Sequence, residues 1–186
     1  MVLIDASSRW SHVYLLSSQN FAFPKLVAQI IKLRAQFPVY TIKNIRLDNA
    51  GEFTSQTFDN YCMFIGISIE HLVAHVHIQN GIEESFIKYL QQIARLIKAK
   101  LLTSVWGHAI LHAKSLVCIR SAPYHKYSPL QLAYGHEPNI SHLRISGCAL
   151  YVQITLPQRT KMGPQRRLRI YVGFYFSSII KYLEPP

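Results

Sequence analysis

Residues 45–53 have the sequence I-R-L-D-N-A-G-E-F, and residues 79–84 have the sequence Q-N-G-I-E-E. The first stretch leaves a short apolar segment at Asp48 and enters a turn marked by Asn, Ala and Gly. The second opens a long run without Gly or Pro, which favours a helix with Glu84 in its first turn. Together they predict a strand end and a helix start, the alternation on which an α/β fold is built.

The flanking segments extend this alternation in both directions. Apolar periodicity and turn residues predict a kinked strand or hairpin over 1–16, helices over 20–36, 54–65, 82–102, 105–120 and 127–137, and strands over 40–47 and 67–72. After residue 141 the pattern changes to two strands, 150–154 and 169–174, on either side of a basic stretch. We therefore predict an α/β domain over 1–138 followed by a small β-rich segment over 139–186.

Charge is the strongest compositional signal. The chain carries 20 Lys and Arg against 9 Asp and Glu, a formal net charge of +11. Such a balance indicates a polyanionic partner, most simply a nucleic acid, although a basic domain can also be merely soluble. Six of the nine acids lie between Asp48 and Glu84, a stretch without Lys or Arg. A bound Mg²⁺ would balance this acidic segment, and several separate solvated faces are the alternative.

Composition also excludes some classes of protein. No apolar run reaches the roughly 18 residues that a membrane span needs, and the first residues lack the pattern of a secretory signal. Three widely spaced cysteines, Cys62, Cys118 and Cys148, do not form a disulfide framework or a C-x-x-C zinc site. His108 and His112 have the i, i+4 spacing of a zinc pair, but apolar neighbours favour helix packing.

Asp48 and Glu84 are the candidate catalytic residues and metal ligands. Site residues of α/β folds lie at the carboxyl ends of strands, and a carboxylate there can share a divalent metal with one on a nearby helix. Two such ions can activate a water or a 3′-hydroxyl and stabilise the leaving oxygen of a phosphodiester. The alternative is a turn Asp and a Glu that the helix dipole favours.

The quoted stretches resemble the two central motifs of retroelement integrases, and the match is closest to the Ty1/copia class of long-terminal-repeat retrotransposons. Further motifs of that class recur in the same order, over residues 2–10, 128–130, 135–138, 142–144, 147–148 and 171–174. The resemblance implies an RNase H-like integrase core with an Asp, Asp, Glu active site, followed by part of an SH3-like segment. It also implies Mg²⁺ or Mn²⁺ as cofactor, DNA (alternatively RNA) as partner, a homodimer, and a nuclear or cytoplasmic location without secretion or membrane attachment.

The same resemblance places Asp5 at a non-catalytic position. The strand that carries the first catalytic Asp would then precede Met1, so we expect an N-terminally truncated core without its first strand and without strand transfer. Asp48 and Glu84 alone would hold Mg²⁺ poorly, because two-metal catalysis needs both ions fixed. Two alternatives stay open: an active transferase or nuclease with a third carboxylate from Asp5, Glu52 or another subunit, and a non-enzymatic basic binding module.

Two basic sets are candidates for nucleic-acid binding. Lys88, Gln91 and Arg95 follow Glu84 at i+4, i+7 and i+11, on or near one helical face. Arg166, Arg167 and Arg169, together with Arg159 and Lys161, form a second set with few acids nearby. Contacts of this kind give affinity without reading base sequence. A solvated helix face and a soluble loop are the respective alternatives.

Overall fold

A computed structural model describes residues 1–47, 53, 55–71, 81–98, 105–121 and 126–185. Its elements, in chain order, are β1 Val2–Ile4, β2 Ser11–Val13, α1 Ala22–Gln36, β3 Asn44–Leu47, α2 Gln56–Phe64, β4 Ser68–His71, α3 Gly81–Lys98, α4 Trp106–Ile119, α5 Pro129–Tyr134, β5 Ala149–Gln153, β6 Arg166–Phe176 and β7 Ile179–Leu183. Short 3₁₀ turns at Gln19–Phe21 and Leu156–Gln158 complete them. The chain therefore has the mixed α/β character that the sequence predicts, with strands and helices in the predicted order.

The chain divides into two compact units. One contains Met1 and residues 14–85, and the other contains residues 2–13 and 86–186. The division differs from the boundary predicted after residue 138, which stays a prediction. None of the described helices is long and apolar enough to cross a membrane.

The unit of residues 14–85 is built on the parallel pair β3–β4, with Asn44 opposite Ser68 and Leu47 opposite His71. Helix α2 connects the two strands, and the Ser55 hydroxyl caps it by accepting the Phe58 N–H at 3.4 Å. Gly66 ends this connection with a φ of +74°, a conformation that glycine adopts without a steric penalty. The α2 face that bears Phe58 and Cys62 is fully buried, so apolar packing holds this helix in place.

In the second unit β1 and β2 form an antiparallel hairpin, which resolves the predicted choice between a kinked strand and a hairpin. Helices α3 and α4 pack through small side chains: Leu90 and Ala94 lie in one buried cluster with Ala109 and Ala113. Partly buried side chains of both helices, among them Phe86, Ile93, Trp106 and Ile110, pack against this cluster. This core determines which face of α3 stays exposed.

Strands β5, β6 and β7 form an antiparallel sheet in that order. The sequence predicts β5 and the middle of β6, but β6 is 11 residues long and β7 is an additional strand. A register shift between Tyr171 and Gly173 bends β6, and Gly173 has a φ of +146°. The buried side chains of this sheet include Tyr171 and Val172, which lie in the same unit as α4.

Candidate nucleic-acid interface

Glu84, one of the two predicted catalytic residues, lies in the first turn of α3 together with Glu83. Its side chain is exposed. A carboxylate in this position also interacts favourably with the helix dipole, which was the alternative explanation for it. Asp48, the other predicted catalytic residue and metal ligand, lies outside the described residues, so the pairing of Asp48 with Glu84 stays a prediction.

The described donors do not form a metal site. Among residues 1–47, 53, 55–71, 81–98, 105–121 and 126–185, no group of three or more His, Cys, Asp or Glu is close enough to hold an ion. Asp5 is engaged in the β1–β2 turn, where its Oδ2 accepts the Ser8 N–H at 2.8 Å and the Ser8 hydroxyl at 2.6 Å. Hard cations prefer several oxygen ligands, and Asp48 lies outside the described residues, so the Mg²⁺ or Mn²⁺ site implied by the resemblance stays a prediction.

The exposed face of α3 carries Lys88 and Arg95, both predicted to bind nucleic acid. Seven residues are nearly two helical turns, so these two cations point in almost the same direction, about 10 Å apart along the axis. Both are exposed, and Gln91 between them is partly buried. Leu90 and Ala94, on the opposite side of the helix, are buried at 2% and 0% exposure. Packing of the apolar side against α4 therefore presents Lys88 and Arg95 to solvent.

The predicted arginines of the second set do not all lie on one face of the sheet, since Arg167 and Arg169 share a face and Arg166 is on the other. Arg166, Arg167 and Arg169 are all in strand β6, where neighbouring side chains point to opposite faces. Arg166 is opposite Gln153 and Arg167 is opposite Val152 in the β5–β6 register, so the two are on different faces of the sheet. Arg166 and Arg167 are both exposed. Each can reach a phosphate, but not as neighbours in one patch.

Arg169 has contacts of its own within the protein. Its guanidinium pairs with the Glu184 carboxylate at 2.6 Å, and only 13% of its side chain is exposed. It also lies over the Tyr182 ring at 5.8 Å and donates to the Leu168 carbonyl at 3.0 Å. These contacts hold β6 to the end of β7, and they use donors that a phosphate would need. Nucleic-acid binding by Arg169 stays a prediction, and the geometry favours a role in the sheet.

His108 and His112 lie on α4. His112 is 4% exposed, and its ring meets Tyr171 and Phe174 edge to face at 5.7 Å and 6.4 Å. Burial lowers the pKa of His112, and burial followed by the nearby Lys181 charge lowers the pKa of His108. Both Nδ1 atoms are buried without a hydrogen-bond partner. Packing of a neutral imidazole between α4 and β6 therefore explains His112 better than zinc ligation.

Two exposed residues of β5, Tyr151 and Gln153, lie close to the β6 arginines and were not among the predicted site residues. Tyr151 is 70% exposed, and Gln153, two positions further along β5, is also exposed. The signal was present in the sequence, because Tyr151 and Gln153 alternate with Leu150, Val152 and Ile154. In a strand, such alternation places Tyr151 and Gln153 on the face exposed to solvent.

No family model matches the chain. The chain is 30% identical over 177 residues to the retrovirus-related Pol polyprotein from transposon TNT 1-94 of Nicotiana tabacum, covering 94% of this chain and 13% of that protein. It is 23% identical over 179 residues to the retrovirus-related Pol polyprotein from transposon RE2 of Arabidopsis thaliana, covering 94% of this chain and 12% of that protein. The chain thus spans about an eighth of the length of these relatives.

Among solved structures, the fold is similar to the catalytic core domain of BIV integrase. The TM-score is 0.54 at 16% sequence identity, and the match covers 70% of this chain and 82% of the integrase domain. At this identity the likeness establishes the fold. Over most of its length the chain is therefore similar to a segment of retrovirus-related Pol polyproteins of plant transposons, and it has the fold of an integrase catalytic core.

Proposed function

We propose that this chain binds DNA through its basic surfaces and does not itself carry out strand transfer. The observation that carries the proposal is the exposed face of α3, where Lys88 and Arg95 point the same way while Leu90 and Ala94 fix the helix by burial. Lysine and arginine on one rigid helix face can follow a phosphate backbone without reading bases. The net charge of +11 supports the same partner.

The proposal of catalytic incompleteness rests on the carboxylates. Two-metal phosphoryl transfer needs ligands that fix both ions. The resemblance assigns this chain two of three acids, Asp48 and Glu84, and Asp48 lies outside the described residues. Asp5 and Glu52 are the alternatives within the chain; Glu52 lies outside the described residues, and the Asp5 Oδ2 already accepts two hydrogen bonds from Ser8. These observations favour a nucleic-acid-binding remnant of an integrase over an active transferase.

Binding is tested by fluorescence anisotropy of a labelled DNA duplex titrated with the full chain at several salt concentrations. The double variant Lys88→Ala/Arg95→Ala should weaken binding at low salt and reduce the slope of log K against log salt by about 0.9 for each phosphate that the protein no longer neutralises. The matched control is Lys32→Ala/Arg34→Ala, which removes the same charge from exposed positions of α1. Equal weakening in both double variants would show that net charge alone attracts DNA and would contradict a role for the α3 face.

Catalysis is tested by a nicking and strand-transfer assay with Mg²⁺ or Mn²⁺, using the purified chain, Glu84→Gln and the control Glu83→Gln. We expect no activity above background from any of the three, with folding checked by circular dichroism. Activity in the wild type that Glu84→Gln abolishes and Glu83→Gln retains would overturn the proposal. It would instead support the active metal-dependent transferase, with a third carboxylate recruited from elsewhere.

Four finer features stay proposals with this function. They are the Mg²⁺ or Mn²⁺ requirement, the homodimer, the nuclear or cytoplasmic location, and the division into a core over 1–138 and an SH3-like segment over 139–186. The assay above addresses the metal. Sedimentation of the purified chain with and without DNA addresses the dimer, and expression of residues 139–186 alone addresses the division.

A further inference from the structure

One face of the sheet formed by β5 and β6 combines an exposed aromatic ring with cations. Opposite residues of an antiparallel pair share a face, and the register places Tyr151 opposite Leu168 and Gln153 opposite Arg166. We call these four side chains the β5–β6 outer face. Tyr151 is 70% exposed and Leu168 is 44% exposed, so the middle of this face is open to solvent.

Two guanidinium groups lie at one end of the β5–β6 outer face. Arg166 is exposed opposite Gln153. Arg159 is held beside them, because its Nε donates to the Ile154 carbonyl at 2.7 Å and its Nη2 donates to the Gln153 Oε1 at 3.4 Å. An anchored guanidinium loses less conformational freedom on binding a phosphate than a free one does.

The surrounding chain is uniformly basic. Residues 138–183 contain no Asp or Glu and seven basic residues, namely Arg144, Arg159, Lys161, Arg166, Arg167, Arg169 and Lys181. A partner that matches this face must therefore be anionic and must also offer a flat apolar surface to a tyrosine ring. Nucleic acids have both features, but in a duplex the faces of the bases are stacked on one another and are not accessible.

We propose that the β5–β6 outer face binds single-stranded DNA, with Tyr151 stacked on an unpaired base and Arg166 and Arg159 on the adjacent phosphates. The proposal rests on the DNA binding proposed above and makes it specific for unpaired nucleotides at this surface. Stacking on an aromatic side chain tolerates any base.

The test measures the affinity of the full chain for a labelled oligothymidine of about 12 nucleotides, within the range of single-strand site sizes, and for a DNA duplex of the same length. Tyr151→Ala should weaken oligothymidine binding about tenfold or more and leave duplex binding unchanged, whereas Tyr151→Phe should keep both. The control Tyr40→Ala removes a tyrosine that is 77% exposed on the other unit and should change neither affinity. Thermal unfolding verifies that each variant is folded.

The outcomes separate this inference from the function on which it depends. Wild-type protein that binds neither DNA overturns the proposed function and this inference together. Binding to the duplex alone, or equal single-strand affinity in wild type and Tyr151→Ala, overturns the inference and leaves DNA binding intact. The last measurement is the affinity for an oligouridine of the same length. Tighter binding of this RNA than of the oligothymidine would overturn the assignment to DNA.

Discussion

Helix α3 and strand β6 each carry basic residues that were predicted to bind nucleic acid, and the two elements present them in different ways. In α3, Lys88 and Arg95 are seven positions apart and point the same way, because seven residues are nearly two turns. In β6, Arg166 and Arg167 are neighbours in sequence and lie on opposite faces. Closeness in sequence therefore concentrates charge only when the spacing matches the period of the element.

The two elements also differ in what supports the charged side chains. The opposite side of α3 is a buried apolar surface, so its cations belong to a helix whose orientation is fixed by packing. In β6 the support is partly polar, since Arg169 is held by Glu184 and by the Tyr182 ring. Arginine is thus exposed to solvent in α3, at Arg95, and bound within the sheet in β6, at Arg169. Substitutions on each element and on each face can test this contrast.

The largest effect should come from the buried side of α3. Leu90→Ala should lower the free energy of unfolding by about 2 to 5 kcal/mol, because the neighbouring Ala94, Ala109 and Ala113 cannot fill the cavity. Lys88→Ala, two positions away on the exposed side, should change it by about 0.5 kcal/mol or less. Chemical denaturation of the two variants and the wild type measures both values. Similar losses in the two variants would mean that α3 is not held mainly by this apolar contact.

An intermediate effect should come from His112. Because burial lowers its pKa in the folded state below the ordinary value of 6.5, the unfolded chain binds the proton more readily. Stability is therefore greatest above about pH 7 and falls as the pH drops below about 6.5, until the folded form also protonates. His112→Leu should flatten the curve of unfolding free energy between about pH 7.5 and 5.5, with His108 responsible for part of the remaining slope. An unchanged slope in His112→Leu would show that this imidazole is not buried in solution.

Most of the helices could be predicted from the sequence, because each depends on local signals. Apolar periodicity marks α1 and α3, and Gly66 marks the end of the α2 connection, whereas the predicted start at residue 54 precedes the Ser55 cap by one residue. Strands were harder, since their limits depend on partners far along the chain. The sequence prediction ended β6 at Phe174 and omitted β7. The Ser177–Ser178 turn joins β6 to β7 and pairs Phe176 with Ile179, and this pairing extends β6 beyond the predicted end.

In the candidate site, too, local spacing could be predicted from the sequence, whereas contacts between distant residues could not. The alignment of Lys88 and Arg95 follows from helical spacing alone and needs no tertiary information. The separation of Arg166 from Arg167 would have followed from the period of two, had the strand been predicted to begin at Arg166. The pairing of Arg169 with Glu184 spans 15 residues and a turn, so only the folded sheet reveals it.

The smallest effect, and the sharpest comparison within β6, concerns Arg166 and Arg169. Arg169→Ala should lower the free energy of unfolding by about 1 kcal/mol, because it removes an ion pair whose Glu184 partner is 75% exposed and a contact with the Tyr182 ring. Arg166→Ala should leave stability unchanged within about 0.5 kcal/mol and weaken single-stranded DNA binding instead. Each variant removes one positive charge, so any general effect of net charge on DNA binding is the same in both. Denaturation and anisotropy measurements on both variants then distinguish an arginine that stabilises the sheet from one that contacts a phosphate. A greater loss of DNA affinity in Arg169→Ala than in Arg166→Ala would reverse the two assignments.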